Sequence, residues 1–201
     1  MKATENTYPN KEQILWMAFL NGDQESYTKL YELFIRDMYR YGTSLVTTSD
    51  AFVLDCIHDV FTEIWAKRSR LSVPDNVKYY LLKALKTRIM HLLDRKERSF
   101  KPLSEVDLQI FEPNDLEIIE ELEVANSRQE RLKILIAQLP NRQQEALKLR
   151  FIENLNYTEI GDLLEVNTQS AKNLVFRAIE KLRGWIVLPF INLFLYFFGL
   201  K

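Results

Sequence analysis

The chain has 201 residues, of which 47% are hydrophobic and 27% charged, with a formal net charge of −1, five glycines and six prolines. That composition suits a soluble globular protein of one large or two small domains, and the scarcity of Gly and Pro points to helices. One cysteine, Cys56, excludes an internal disulfide, and the run before Gln13 lacks the apolar core of an export signal, so a cytoplasmic location is expected.

No catalytic constellation is visible. His58 and His91 are the only histidines, which with one cysteine gives no metal-ligand spacing. There is no glycine-rich loop to cradle a phosphate. Neither an enzyme nor a bound cofactor is expected.

The first predicted helix runs from near Asn10 to Leu20, with Ile14, Leu15, Ala18 and Phe19 at helical spacing. Asn21-Gly22 stops it, and Asp23 can cap the next. That second helix, from Gln24 to about Val46, carries Tyr27, Leu30, Tyr31, Phe34, Met38 and Tyr41 on one stripe. Thr47 to Ser49 break it, and Ser49 or Asp50 can cap a third. There Leu54, Ile57, Phe61, Ile64 and Trp65 recur at helical intervals. A fourth begins after Pro74 and runs to about Arg95 on an apolar stripe of Val77, Leu81, Ala84, Leu85, Leu92 and Leu93.

The charge is segregated. Residues 67–101 hold eleven Lys/Arg against three acids, a net of +8, and residues 102–126 hold eight acids and no base, a net of −8. A basic block is an electrostatic footprint for phosphate, or else a solvated helix face. The stretch 99–127 contains Pro102 and Pro113 and reads as an acidic linker, with a nascent helix at Leu116–Leu122.

A second helical domain follows. A helix after Ser127 carries Leu132, Leu135, Ile136 and Leu139, and Pro140 opens another, from Asn141 to about Phe151. Tyr157 to Leu164, the turn Glu165-Val166-Asn167, and a helix from Thr168 to Arg183 capped by Asn167 have the layout of a helix-turn-helix. Ala171, Leu174, Val175, Ala178 and Leu182 face the core. Gln169, Lys172, Asn173, Phe176 and Arg177 then face outward. Such a helix fits the major groove, where Gln or Asn pairs with adenine and Lys or Arg with guanine. A helical hairpin with a polar face is the plain alternative. The fold expected is all-α: two small helical domains, 10–98 and 128–184, joined by the acidic linker, the second a helix-turn-helix.

The segment 185–201 is an apolar tail. Thirteen of the sixteen residues from Trp185 to Leu200 are apolar. Pro189 should interrupt it, and as a helix of about 24 Å it falls short of a ~30 Å hydrocarbon core. Packing back on the protein or on a partner is expected, with a membrane surface as the other possibility.

Two sets of motifs in the right order resemble the extracytoplasmic-function (ECF) sigma factors of the sigma-70 family, specificity subunits of bacterial RNA polymerase. The C-terminal set is Leu139-Pro140, Tyr157-Thr158-Glu159-Ile160, Arg177-Ala178 and Lys181-Leu182-Arg183. The N-terminal set is Phe19-Leu20-Asn21-Gly22-Asp23 with Leu30-Tyr31, then Asp55-Cys56-Ile57-His58-Asp59-Val60-Phe61 with Trp65, and Val77-Lys78-Tyr79-Tyr80-Leu81 with the basic run after it. The match covers about 14–98 and 128–183. The run Gln169–Leu174 is similar in style to members from Bacteroidetes.

The resemblance implies roles. Core RNA polymerase would dock on the helix of Asp55, Asp59, Phe61 and Trp65, where Phe61 and Trp65 could instead be core and the two acids a solvated face. The −10 promoter element would be opened and held by Lys78, Tyr79, Tyr80, Lys83, Lys86 and Arg88, since capture of an unstacked base calls for aromatic faces and cations. Core packing is an equal reading of Tyr80. The −35 element would be read by Gln169, Lys172, Asn173 and Arg177. Promoter DNA, core polymerase and an anti-sigma factor are the implied partners. As free coil the 29 residues of 99–127 span about 30 Å, against about 58 Å between elements ~17 base pairs apart, so the linker must be drawn out when both halves engage. In the family such linkers thread the polymerase cleft; covering the basic helix in the free protein is the competing role. This sequence departs from the family at Glu165 (usually Gly in the turn), His58 (usually Gln) and Thr87 (often Asn). The alternative function is a stand-alone helix-turn-helix regulator, and a third is a membrane-tethered interaction protein.

Overall fold

A computed structural model describes residues 9–46, 49–99 and 132–197, with side chains described within 9–46, 49–95 and 132–185. All regular structure among the described residues is helical. The chain divides into two compact units, Met1–Phe111 and Glu112–Lys201. Most of the linker expected at 99–127, with its Leu116–Leu122 helix, lies outside the described residues. Residue 99 itself closes a helix.

The first unit contains α1 (Lys11–Leu20), α2 (Gln24–Leu45), α3 (Asp50–Lys67), a 3-10 turn (Arg68–Arg70) and α4 (Val77–Ser99). Asn10 caps α1 in a reciprocal box with Gln13, each side chain accepting the other's backbone N–H. Gly22, at φ +89°, turns the chain between α1 and α2 where a side chain would be strained. Asp23 then caps α2 by accepting from the Ser26 N–H.

The inward face of α1 differs from the expected one. Trp16 and Phe19 are fully buried, and Ile14 is 53% exposed. The reason is polar as much as apolar: the Trp16 indole N–H reaches the Ser72 carbonyl at 3.1 Å, which lets the ring enter the bundle with its donor satisfied. On α2 the expected stripe holds, with Leu30, Phe34, Met38 and Tyr41 buried. On α3 Val53, Cys56 and Val60 join Ile57, Phe61 and Ile64 in the core, whereas Leu54 and Trp65 are half-buried. On α4 the core line is Val77, Leu81, Leu82, Leu85 and Ile89. Each such side chain contributes about 1.5–3 kcal/mol by leaving water.

The second unit contains α5 (132–137), α6 (Asn141–Phe151), α7 (Tyr157–Leu163) and α8 (Thr168–Phe197). Leu139, Ala178 and Leu182 are buried together, with Leu135, Ile136, Leu147 and Trp185 packed against them. Helix α8 corrects an expectation. It does not end at Arg183 before a separate tail; its 30 residues continue through Gly184 and Pro189 to Phe197, about 45 Å in all. Proline removes one backbone hydrogen bond and bends a helix, but does not oblige it to stop. Among the described residues no helix is long and apolar enough to cross a membrane.

Candidate nucleic-acid interface

The helix-turn-helix is held by its caps. Asn156 accepts the N–H groups of Thr158 and Glu159, both at 2.9 Å, while the Glu159 carboxylate accepts the Asn156 N–H at 2.8 Å. This second capping box starts α7. Arg150 of α6 donates to the Leu155 carbonyl at 2.8 Å and lies over the Tyr157 ring at 4.9 Å, fixing the approach to α7. At the turn, Glu165 adopts φ +55°, the left-handed backbone for which glycine is usual. The glycine this motif depends on is Gly161. A Cβ there would sit 2.7 Å from the Val166 carbonyl oxygen, and the Val166 N–H closes the turn by donating to the Gly161 carbonyl at 2.8 Å. A lone Gly inside α7, four residues before Glu165, was the signal available in the sequence.

Asn167 caps α8 by accepting the Ser170 N–H at 2.7 Å. Ala171, Val175 and Ala178 are buried, so the helix presents the opposite face. That face carries Gln169, Lys172, Asn173, Phe176 and Arg177, all exposed. The structure brings two of the four expected readers together: the Gln169 amide donates to the Asn173 Oδ1 at 3.1 Å. Two amides held side by side one turn apart, flanked by two cations, form a surface able to pair with base edges in a major groove.

The basic helix α4 has a different character. Lys78 contacts Asp37 at 2.5 Å, and Asp37 also takes Arg40 at 2.7 Å. Burial alone would raise the Asp37 carboxyl, but the Lys78 and Arg40 contacts outweigh it and hold the group below its ordinary value. Arg88 is fastened to Asp59 of α3. Asp59, expected at the polymerase surface, and Arg88, expected at the −10 surface, are thus one ion pair. Tyr79, Lys83 and Lys86 share a stripe of α4 at i, i+4 and i+7, with the Lys83 ammonium 5.8 Å from the Tyr79 ring. Tyr80 is half-buried, edge-on to Trp16 at 5.2 Å. Burial first, then the nearby Glu63 carboxylate, pushes its phenol up. The core reading of Tyr80 thus holds for the part of the ring packed on Trp16.

The α2–α3 face is aromatic. Trp65 meets Tyr27 at 4.9 Å, Phe61 meets Tyr31 at 4.9 Å, and Tyr31 stacks on His58 with its hydroxyl 2.8 Å from Nε2. Arg68 lies over Trp65 at 4.5 Å and donates to its carbonyl. Gln24, Tyr27, Thr28, Thr62 and Trp65 line a shallow groove there. Phe61 is 1% exposed and belongs to the core beneath this face. Asp55 is exposed. The sequence motifs marked Trp65 and Asp55 but missed Tyr27, Thr62 and Arg68, because these converge only when α2, α3 and the 3-10 turn pack. No group of three or more residues that could hold a metal occurs among the described residues.

A capped helix-turn-helix with amides and cations on its reading face defines a DNA-binding protein. Residues 129–182 match the family model described as Sigma-70, region 4. Two proteins of Bacillus subtilis (strain 168) are similar over most of the chain. The RNA polymerase sigma factor SigV is 21% identical over 148 residues, 74% of this chain and 83% of that protein. The ECF RNA polymerase sigma factor SigM is 19% identical over 156 residues, 78% of this chain and 92% of that one. Two solved structures share the fold. The sigma factor RpoE from Bartonella quintana, in complex with the anti-sigma factor NepR, aligns with a TM-score of 0.57 at 16% identity, covering 81% of this chain and 97% of that one. CnrH, in complex with the cytosolic domain of CnrY, aligns with a TM-score of 0.54 at 14% identity, covering 89% and 99%. Residues 129–182 thus match region 4 of the sigma-70 family, and over most of its length the chain is similar to sigma factors of the extracytoplasmic-function branch.

Proposed function

We propose that this chain is a sigma factor that reads promoters with two surfaces and docks on core RNA polymerase with a third. Residues 128–184 act as region 4 and read the −35 element through Gln169, Lys172, Asn173 and Arg177. Residues 10–98 act as region 2 and hold the −10 element through Tyr79, Lys83 and Lys86, with the exposed part of Tyr80. Lys78 and Arg88 serve that surface by holding α4 against Asp37 and Asp59. Polymerase docks on the face of Asp55 and Trp65, extended by Tyr27, Thr62 and Arg68. The stretch 99–127 links the two readers. The protein works without chemistry of its own, in the compartment of the polymerase.

The observation that carries this reading is the exposed set on α8, inside the matched region and on a helix whose start is fixed by the Asn167 cap. The aromatic face of α2–α3 favours a sigma factor over a stand-alone regulator, which needs no polymerase-docking surface. By analogy with the complex of RpoE with NepR, an anti-sigma factor is a further partner.

The test is run-off transcription with core polymerase on a genomic promoter library. A transcript that needs this chain, and that is lost with Trp65→Ala, is expected. Specific operator binding by the chain alone, with no chain-dependent transcript from any fragment, would replace this reading by the stand-alone regulator.

A further inference from the structure

The C-terminal part of α8, from Trp185 on, carries a pattern that promoter reading does not use. Its backbone is helical to Phe197, and the sequence from Trp185 onward is almost wholly apolar. A helix apolar on nearly all sides is one that is buried in something. From Trp185 to Phe197 it measures about 20 Å, against ~30 Å for a hydrocarbon core. It is too short to cross a bilayer and long enough to lie in one face of it.

Two features say what kind of surface it fits. The first is charge. Lys181 and Arg183, both exposed, precede the apolar run and Lys201 follows it, and residues 181–201 contain no acid. The second is register. At roughly 100° per residue, positions 192 and 196 lie one turn apart on one stripe, and they hold Asn and Tyr. These are the residues from 186 to 197 with a polar side-chain group; Trp185, just before them, packs on Leu139, Ala178 and Leu182. Tyr settles at the boundary between headgroups and acyl chains, its apolar body inward and its donor outward, and neighbouring cations pair with lipid phosphate. A second copy packed in parallel would bring like charges together.

We infer that residues 186–197 of α8 seat in the interfacial layer of an anionic phospholipid bilayer, with Lys181 and Arg183 on the headgroup phosphates. The same helix begins with the Gln169–Arg177 reading face, and Lys181 lies one turn beyond Arg177. Bilayer and promoter duplex then compete for one element, which makes the membrane a reservoir that withholds the factor from DNA. This competition rests on the −35 reading proposed above; the bilayer seat does not.

Vesicle flotation of the full chain tests it, with phosphatidylcholine alone or mixed with phosphatidylglycerol. The chain should float with the anionic vesicles and far less with the neutral ones. Phe194→Glu should remain in the aqueous phase. The double variant Lys181→Gln/Arg183→Gln should lower the partition by about fivefold per cation removed. It leaves the apolar run intact and so carries the test even if Phe194→Glu loses helicity by circular dichroism. A −35 duplex should release the bound chain; failure of that arm alone counts against the shared-helix competition and leaves the seat standing. No flotation with anionic vesicles overturns the inference, as does equal flotation of Phe194→Glu with its helicity kept. A dimer by light scattering that Phe194→Glu dissolves, without vesicle binding, assigns the apolar run to a second copy instead.

Discussion

Arg88 on α4 grips a single carboxylate oxygen of Asp59 on α3, from Nε at 3.0 Å and from Nη2 at 2.7 Å. Both side chains are partly exposed, 34% and 47%, so the pair contributes of the order of 0.2–1 kcal/mol. Its importance is directional: it turns an arginine of the basic block away from solvent and towards α3. Arg88→Ala should lower thermal stability modestly and leave the salt slope of promoter binding by the holoenzyme nearly unchanged. Lys83→Ala and Lys86→Ala should each flatten that slope by about 0.7–0.9. A flattening by Arg88→Ala equal to theirs would show that the arginine leaves Asp59 for phosphate when DNA arrives.

At the turn of the helix-turn-helix, two positions have opposite expectations. Glu165 is in the left-handed region at φ +55°, and Glu165→Gly should stabilise the second unit by up to about 1 kcal/mol. Gly161 is in helical backbone, where Ala would normally help, yet its Cβ would meet the Val166 carbonyl at 2.7 Å. Backbone cannot move aside as a side-chain tip can. Gly161→Ala should therefore destabilise, by about 1–3 kcal/mol, and should weaken −35 binding with it. Thermal melts of the two variants check both signs.

These two residues also show what the sequence made legible. The need for a left-handed residue at 165 follows from motif position, and the structure bears it out. The role of Gly161 depends on a carbonyl five residues away that only the folded turn brings near. The Asn167 cap was readable because caps are local. The Asn156–Glu159 box was equally local and could have been read from its spacing. The basic block was readable as charge, but not the fate of its members: Asp59 lies 29 residues before Arg88 in the chain. Helical period alone placed Ile14 inward, where the structure places Trp16, because period does not know that an indole N–H has a carbonyl waiting at Ser72. At Pro189 the helix continues to Phe197, because a proline removes one backbone hydrogen bond and kinks an α-helix without obliging it to end.

On the reading face, Lys172→Ala and Arg177→Ala should each cost about 1–3 kcal/mol of −35 discrimination and relax preference at one base position. Both are exposed, so melting temperature should hardly move. Gln169 and Asn173 are different, since one amide orients the other at 3.1 Å. Gln169→Ala, Asn173→Ala and the double variant should be non-additive, with a coupling of about 0.5–3 kcal/mol. Additive losses would mean that the amides read DNA independently, and selection from a randomised −35 library would locate the bases each one reads.

Asp37 gives the first unit a pH dependence with a defined sign. Its carboxyl is desolvated, which works against ionisation, and the Lys78 and Arg40 contacts more than offset this, so the folded-state value lies below the ordinary ~3.9. A group depressed on folding contributes stability that is present above its unfolded pKa. That contribution is lost as pH falls through the folded value, because the proton then binds and the two cations lose their partner. Wild type should accordingly exceed Asp37→Asn in denaturant midpoint at about pH 7, and the gap should close as pH falls below the ordinary carboxylate value of about 3.9. Arg40→Gln or Lys78→Gln should move the closing point to higher pH, since each removes one of the forces that hold the carboxyl ionised. A gap of constant size across that range would mean that Asp37 acts through packing alone, and α4 would then owe its placement to the Arg88–Asp59 pair and the Val77–Ile89 core line.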